Sequence, residues 1–193
     1  MTPRRIGLYL AVAVPPLILA GVGVTHPTNL TAGSAEYWRD LHIAILPIFP
    51  LLGFAPWLLV RGRNRWLTIG VGVLAFVYAA FYTGLDVLAG IGAGGLKLDD
   101  MGMATGTVFT LGRNLGAIGA ISFIAACLIA GIVAIRSAGP SAIPGAVLVL
   151  AGSALLYREH IYFPYGVLGQ LCLAVGWVLI VLTRRERAEP QPS

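Results

Sequence analysis

Charged residues are scarce in this chain. Asp, Glu, Lys and Arg make up 11% of its 193 residues, whereas a soluble domain carries about 25%. Hydrophobic residues account for 58%, and the mean hydropathy is +0.85. A soluble fold of this composition would have no polar coat. The sequence therefore predicts an integral membrane protein, with the lipid bilayer as its first partner.

Cysteine and histidine are also rare. The two cysteines, Cys127 and Cys172, each lie inside an apolar run and form no CxxC pair, so we expect small buried hydrophobes, and they give little information on the redox compartment. The net charge of +5 does not indicate nucleic-acid binding, because the basic residues are gathered in short segments between apolar runs.

Long apolar runs occur six times, at roughly 6–24, 41–60, 67–90, 115–135, 142–158 and 164–183. Each approaches the length of about 20 residues that a helix needs to cross the hydrocarbon core, and continuous runs in lipid form helices. The predicted fold is an all-α bundle of about six transmembrane helices. It forms one domain over residues 1–187, with a disordered cytoplasmic tail at 188–193. We expect the first run to be retained as a span and not cleaved as a signal peptide.

The arginine distribution predicts the orientation. Cytoplasmic loops of membrane proteins are enriched in Lys and Arg, and placing both termini inside puts nine basic residues inside and four outside. We therefore expect a multi-pass protein of the plasma (inner) membrane with both termini cytoplasmic. The inside set is Arg4, Arg5, Arg61, Arg63, Arg65, Arg136, Arg184, Arg185 and Arg187; the outside set is Arg39, Lys97, Arg113 and Arg158.

The ionisable residues near span ends converge on the outer side. Asp86 lies about 20 residues beyond the inner-loop arginines, roughly 30 Å of helix, and Arg113 reaches a similar height. The chain's three histidines, His26, His42 and His160, flank spans at the same level. The inner half carries almost no such groups, so we expect a functional polar layer at the outer end.

Tyr78, Tyr82 and Asp86 are four residues apart and share one helix face. An intramembrane aspartate requires a partner or a cavity, and Arg113 is the expected partner. The pair could be a structural salt bridge between the third and fourth spans, or it could meet a polar ligand.

Pro47, Pro50 and Pro56 lie within the second span, below His42. Proline removes a backbone donor and kinks a helix. We expect a bend there that can open a pocket toward the outer side.

Three chemistries could use this layer. A zinc-like metal site would take the three histidines, with Asp40 or Glu159 as ligand or base. A single haem with two histidine ligands is a weaker alternative. A metal-free site would recognise a carboxylate or a lipid phosphate through Arg113 and Arg158, with Glu159 and His160 as acid and base.

The leading hypothesis is an outward-facing pocket for a metal ion or a small polar or lipid ligand. The alternative is a transporter, or a non-catalytic accessory subunit docked to other membrane subunits, in which the polar layer is structural. Small residues should allow close helix packing at Gly112/Gly116/Gly119 and Gly145/Ala151/Gly152. The candidate catalytic residues are Asp86, Arg113 and Glu159, the candidate ligand-binding residues are Asp40, Tyr82 and Arg158, and the candidate metal ligands are His26, His42 and His160.

Overall fold

A computed structural model describes residues 2–184, which are helical with no strands. The first helix, α1 (Pro3–Thr25), is followed by a broken segment, α2 (Ala35–Ile45), α3 (Ile48–Leu52) and α4 (Phe54–Val60). Then come α5 (Arg65–Leu85), a π-helical segment (Asp86–Gly92) and α6 (Ala93–Leu98), which run on without a break. A 3-10 turn (Gly102–Ala104) leads into α7 (Thr105–Ala138), and another (Gly139–Ala142) into α8 (Ile143–Glu159) and α9 (Tyr165–Thr183). The predicted tail lies outside the described residues.

Several helices are long and apolar enough to cross a membrane. Within residues 2–184 there are four such stretches, or five if a pair bent by 41° counts as one span. The longest stretch has 58 residues and contains both α7 and α8. These two helices pack against each other, as the contact at Gly131 shows: a Cβ atom there would lie 3.2 Å from that of Ala146 in α8. This stretch contains both the fourth and the fifth predicted spans. The stretches are Pro3–Thr25, Arg65–Leu98, Gly102–Glu159 and Tyr165–Thr183, and the bent pair is Ala35–Ile45 with Ile48–Val60.

The bend coincides with the prolines of the second span. The helix breaks at Leu46 and again at Gly53, leaving α3 only five residues long. Pro47 and Pro50 cannot donate the backbone hydrogen bonds that a continuous helix needs. The expected kink below His42 is therefore present.

Residues 105–114 extend α7 instead of forming a separate interfacial piece. The side of α7 that meets α5 and the π segment carries Gly112, Gly116 and Gly119. A Cβ atom at Gly119 would lie 2.9 Å from the backbone nitrogen of Tyr82. Glycine therefore permits the close approach of the two helices, as the sequence pattern predicted.

Glycines also form the contact between α8 and α9. A Cβ atom at Gly152 would lie 2.6 Å from the carbonyl oxygen of Gly169, and one at Gly145 would lie 2.8 Å from that of Gly176. Ala151 is exposed and takes no part in this contact. Both cysteines are free thiols.

Candidate metal centre

The three histidines come from separate elements but meet at one end of the bundle, called the histidine end below. His26 follows the last residue of α1, His42 lies within α2, and His160 follows α8. One ring nitrogen from each lies within 4.8 Å of the others. His26 and His42 are 4% and 3% exposed, so the group can hold a metal ion away from water.

Hydrogen bonds fix the orientation of each ring. Nδ1 of His26 donates to the Pro27 carbonyl at 2.8 Å, and Nδ1 of His42 donates to the Trp38 carbonyl at 2.6 Å. A carbonyl only accepts, so both Nδ1 atoms carry a proton and both Nε2 atoms present lone pairs when the rings are neutral. Nδ1 of His160 lies 2.8 Å from the Tyr82 hydroxyl. Metal-binding histidines are commonly oriented by such contacts at the second nitrogen.

The Nε2 atoms of His26 and His42 lie 3.4 Å apart. Two neutral rings would direct lone pairs at each other here, so the arrangement favours a shared cation. Tetrahedral zinc with Zn–N bonds of about 2.05 Å separates its nitrogens by about 3.3 Å, close to the observed spacing.

Asp86 is the carboxylate that the structure adds to this cluster. It is 1% exposed, and neither of its oxygens has a hydrogen-bond partner among the described residues. Its Oδ1 lies 3.9 Å from Nε2 of His42. Buried charges in proteins are paired or bind metals, so Asp86 is a candidate ligand beside His42.

The predicted salt bridge between Asp86 and Arg113 is wrong. Arg113 is exposed, and its guanidinium donates to Thr110 of its own helix at 3.4 Å. The side of α7 that faces the π segment is occupied by Gly112 and Gly116. Equal height along the helices was predicted correctly, but Arg113 lies on a different side of α7.

The π-helical segment makes room for His42. A Cβ atom at Gly90 would overlap the His42 ring, and the indole nitrogen of Trp38 donates to the Ala89 carbonyl at 3.0 Å. Further along, a Cβ atom at Gly94 would lie 3.0 Å from the backbone nitrogen of Arg39. The segment thus holds α2 at close range. π-Helical turns are often found at functional sites.

The connection between α8 and α9 brings His160 to His26. A Cβ atom at Gly23 of α1 would overlap the carbonyl of Ile161, so only glycine allows this approach. His160 itself has a φ of +51°. A left-handed conformation is uncommon outside glycine and costs on the order of 1–3 kcal/mol, which the surrounding contacts must offset.

Aromatic rings enclose the cluster. Trp38 and Tyr162 pack edge-on against His26, at centroid distances of 4.9 and 4.7 Å. Phe49 stacks on His160 at 5.1 Å. These three rings pack directly against the imidazoles of His26 and His160.

Burial also sets the protonation of the loop histidines. It lowers the pKa of His26, whose hydrogen bond to Pro27 acts weakly in the opposite direction, and it lowers the pKa of His160 well below its usual value. Burial, helped by the nearby Asp86, raises the pKa of Tyr162 to about 12. Both histidines are therefore neutral at pH 7, as metal binding requires.

Several candidate residues lie away from the cluster. Asp40 is exposed and binds Arg39 at 2.7 Å, while Arg158 lies 4.0 Å from Glu159 with its side chain 76% exposed. Asp40 or Glu159 was expected to supply the carboxylate of a metal site, but neither belongs to the group of three histidines, and the carboxylate beside His42 is that of Asp86. Tyr82 contacts the cluster through His160, as described above.

Trp38, Gly90 and Tyr162 were not identified as site residues from the sequence. Trp38 has a detectable signal, because it lies four residues before His42 and so one helical turn away. Gly90 likewise follows Asp86 by four residues. The sequence contains no corresponding signal for Tyr162.

The chain matches no protein-family model, and no curated protein or solved structure matches it either. The interpretation of the site therefore depends on its own geometry.

Proposed function

We propose that this protein is a multi-pass membrane protein that binds a transition-metal ion of the zinc type at the histidine end of its bundle. One observation carries the proposal. Nδ1 of His26 and Nδ1 of His42 each donate to a backbone carbonyl, which leaves their Nε2 atoms as free ligands, and one ring nitrogen of His160 lies within 4.8 Å of the ligand nitrogens of both. Imidazole nitrogen is a preferred donor for zinc, copper, iron and nickel.

The proposed topology has six crossings and both termini in the cytoplasm of a plasma (inner) membrane. The arginine-rich connection at 61–65 lies at the opposite end of α5 from Asp86. Since short basic loops stay inside, the histidine end faces outward. The ion would be taken up from the outer side and not from the cytoplasm.

The donor set favours zinc or another divalent ion over the alternatives. Soft copper(I) prefers thiolate or thioether ligands, and no cysteine belongs to the histidine group. A haem fits poorly, because the rings of His26 and His42 meet edge to face with centroids only 5.0 Å apart. A macrocycle would have to pass between them and displace the surrounding aromatic rings.

A structural role, as in an accessory subunit, is the second candidate. It is favoured by the burial of His26 and His42, which are 4% and 3% exposed, because a catalytic metal keeps a position for water or substrate. Catalysis on a lipid or a small polar ligand would require a route through Trp38 and Tyr162. Transport would require a polar path beyond the cluster, and the neighbouring core residues Phe49, Leu52 and Phe123 are apolar and fully buried.

The decisive experiment is the metal content of the detergent-purified protein, measured by elemental analysis after incubation with Zn²⁺ and gel filtration. We expect one equivalent in the wild type and none in His42→Ala or His160→Ala. Asp40→Ala is the control and should keep its metal, because Asp40 lies outside the cluster. A visible absorption spectrum tests for haem in the same sample.

A wild-type protein that retains neither metal nor haem would overturn the proposal. Equal metal in the wild type and both histidine variants would do so as well, because the ion would then lie elsewhere. Gel-filtration profiles of all variants establish whether each is folded before its metal content is compared.

A further inference from the structure

Asp86 is 1% exposed, and neither of its carboxylate oxygens makes a hydrogen bond among the described residues. We infer that Asp86 is the fourth ligand of the proposed centre, which makes it a closed site of three histidines and one carboxylate for a divalent cation. This inference rests on the proposed metal-binding function and assigns the ligand set and the class of ion. The group of three histidines would otherwise have an open position.

The helix that carries Asp86 organises the whole cluster. Tyr82, Asp86 and Gly90 follow one another at intervals of four residues and lie on one face. Tyr82 contacts His160, Asp86 lies beside His42, and Gly90 leaves space for the His42 ring. The carboxylate is therefore directed to the same place as two of the three imidazoles.

Neither arginine of the neighbouring helices pairs with the Asp86 carboxylate. Arg39, the basic residue of α2, is engaged by Asp40, and Arg113 of α7 bonds within its own helix. Tyr82 donates to or accepts from His160 and gives nothing to the carboxylate. An ionised carboxylate buried without a counter-charge is strongly destabilising. A cation held by the Nε2 atoms would lie next to it.

The distances are close to those of a four-ligand site. Oδ1 of Asp86 lies 3.9 Å from Nε2 of His42, and Nε2 of His26 lies 3.4 Å from the same atom. Zinc bonds to nitrogen and carboxylate oxygen are about 2.0–2.2 Å, so two ligands of a tetrahedral ion are separated by about 3.3 Å. Asp86 is not among the atoms that lie within 4.8 Å of one another in the histidine group, so its side chain must move toward His26 and His160 when the ion binds.

An ion held by three histidines and Asp86 would be a permanently bound structural ion and not a catalytic one. Four protein ligands fill a tetrahedral site and leave no position for water. A hard oxygen donor combined with imidazole nitrogens favours divalent zinc, cobalt or nickel over copper(I).

Cobalt(II) is the probe, because its d–d absorption reports coordination number and donor type. The full-length protein in detergent is titrated with Co²⁺ as wild type, Asp86→Asn and Asp99→Asn. Asp99 is exposed near the same end of the bundle. Asp99→Asn is the control, because it removes one carboxylate charge just as Asp86→Asn does. We expect Asp86→Asn to bind Co²⁺ at least about tenfold more weakly with an altered spectrum, and Asp99→Asn to behave as the wild type.

A second variant, Asp86→Cys, tests the inference by a new absorption band even if Asp86→Asn does not fold. Asp86→Cys places a thiolate at the proposed ligand position, and a cobalt-bound thiolate adds an intense sulfur-to-cobalt charge-transfer band. The wild type supplies the baseline, since Cys127 and Cys172 do not belong to the cluster. We expect the new band only in Asp86→Cys.

The titrations distinguish metal binding itself from the role of Asp86 as a ligand. A wild type that binds no Co²⁺ overturns the proposed function and this inference together. If the wild type binds Co²⁺, Asp86→Asn binds it equally well with the same spectrum, and Asp86→Cys shows no new band, then the metal centre stands and Asp86 is not a ligand.

Discussion

The histidine end and the interface between α8 and α9 are held together by opposite means. At the interface, glycines bring backbone against backbone, with Gly152 and Gly169 in direct contact. At the histidine end, imidazoles and a carboxylate are buried together, and three of the five buried polar residues of the described chain lie there: His26, His42 and Asp86. Close apolar packing needs no ligand, whereas buried polar groups are costly until each has a partner. The glycine interface is thus stabilised by packing alone, whereas the stability of the histidine end depends on how its buried polar groups are paired.

The largest expected effect comes from filling the glycine interface. Gly152→Leu would place its Cβ atom 2.6 Å from a backbone oxygen that cannot rotate away. We expect a loss of at least about 3 kcal/mol in the free energy of unfolding, the upper part of the range for overpacking. Thermal unfolding in detergent and the monodisperse fraction on gel filtration measure it.

Gly21→Leu is the matched control for that variant. Gly21 lies in a helix with open space where its Cβ atom would be, so the same substitution should cost much less. Equal destabilisation by both leucines would show that the close approach of α8 and α9 is not what stabilises this end.

At the histidine end, Gly90→Ala should weaken metal binding strongly while the bundle stays folded. The added Cβ atom would overlap the His42 ring and move its Nε2 out of the cluster. We expect a loss in metal affinity of about a hundredfold, of the size seen when ligand orientation is disturbed. Gly95→Ala, where the space is open, should bind as the wild type. Unchanged binding by Gly90→Ala would contradict the assigned role of the π-helical segment.

Metal removal should destabilise the wild type and leave the histidine variants unaffected. A ligand that binds only the folded state at 100 times its Kd stabilises by about 2.7 kcal/mol. Adding a chelator to the loaded wild type should therefore lower its Tm, while His42→Ala should show no response. A chelator effect of the same size in that variant would place the stabilising ion outside the cluster.

The smallest effect is expected at the phenol that contacts His160. Tyr82→Phe removes the hydroxyl that lies 2.8 Å from Nδ1 of His160 and leaves the ring in place. We expect metal affinity to fall by about tenfold, the lower end for loss of an orienting contact.

Tyr78→Phe is the neighbouring control for Tyr82→Phe. The Tyr78 hydroxyl is buried without a partner, so its removal should be neutral or stabilising. Isothermal titration of both variants separates the two cases. Equal affinity in all three proteins would mean that Tyr82 has no part in positioning His160.

Much of the fold followed from the sequence, because lipid leaves few alternatives to helices. The apolar runs, the bend at Pro47 and the glycine contact at Gly119 were all predictable. The continuation from Asp86 through the π segment to Leu98 was not, since periodicity does not distinguish a π turn from an α turn over seven residues.

The site was predictable in part. Height along each helix follows from residue counts, and this placed His26, His42 and His160 in one layer. The direction of each side chain depends on how a helix is rotated against its neighbours. This rotation places Arg113 on the outside of the bundle and Asp86 on the inside, and it cannot be predicted by counting residues along a helix.

The apolar runs of the sequence give the approximate helix positions, and residue counts along them give the level at which the ionisable residues gather. These are local properties, governed by side-chain hydropathy and by 1.5 Å of rise per residue. The tertiary structure is needed to show that Asp86 lies beside His42, that Gly90 and Gly23 admit the neighbouring segments, and that the Nε2 atoms of His26 and His42 face each other. Those contacts join residues far apart in the chain, so they exist only once the helices have packed.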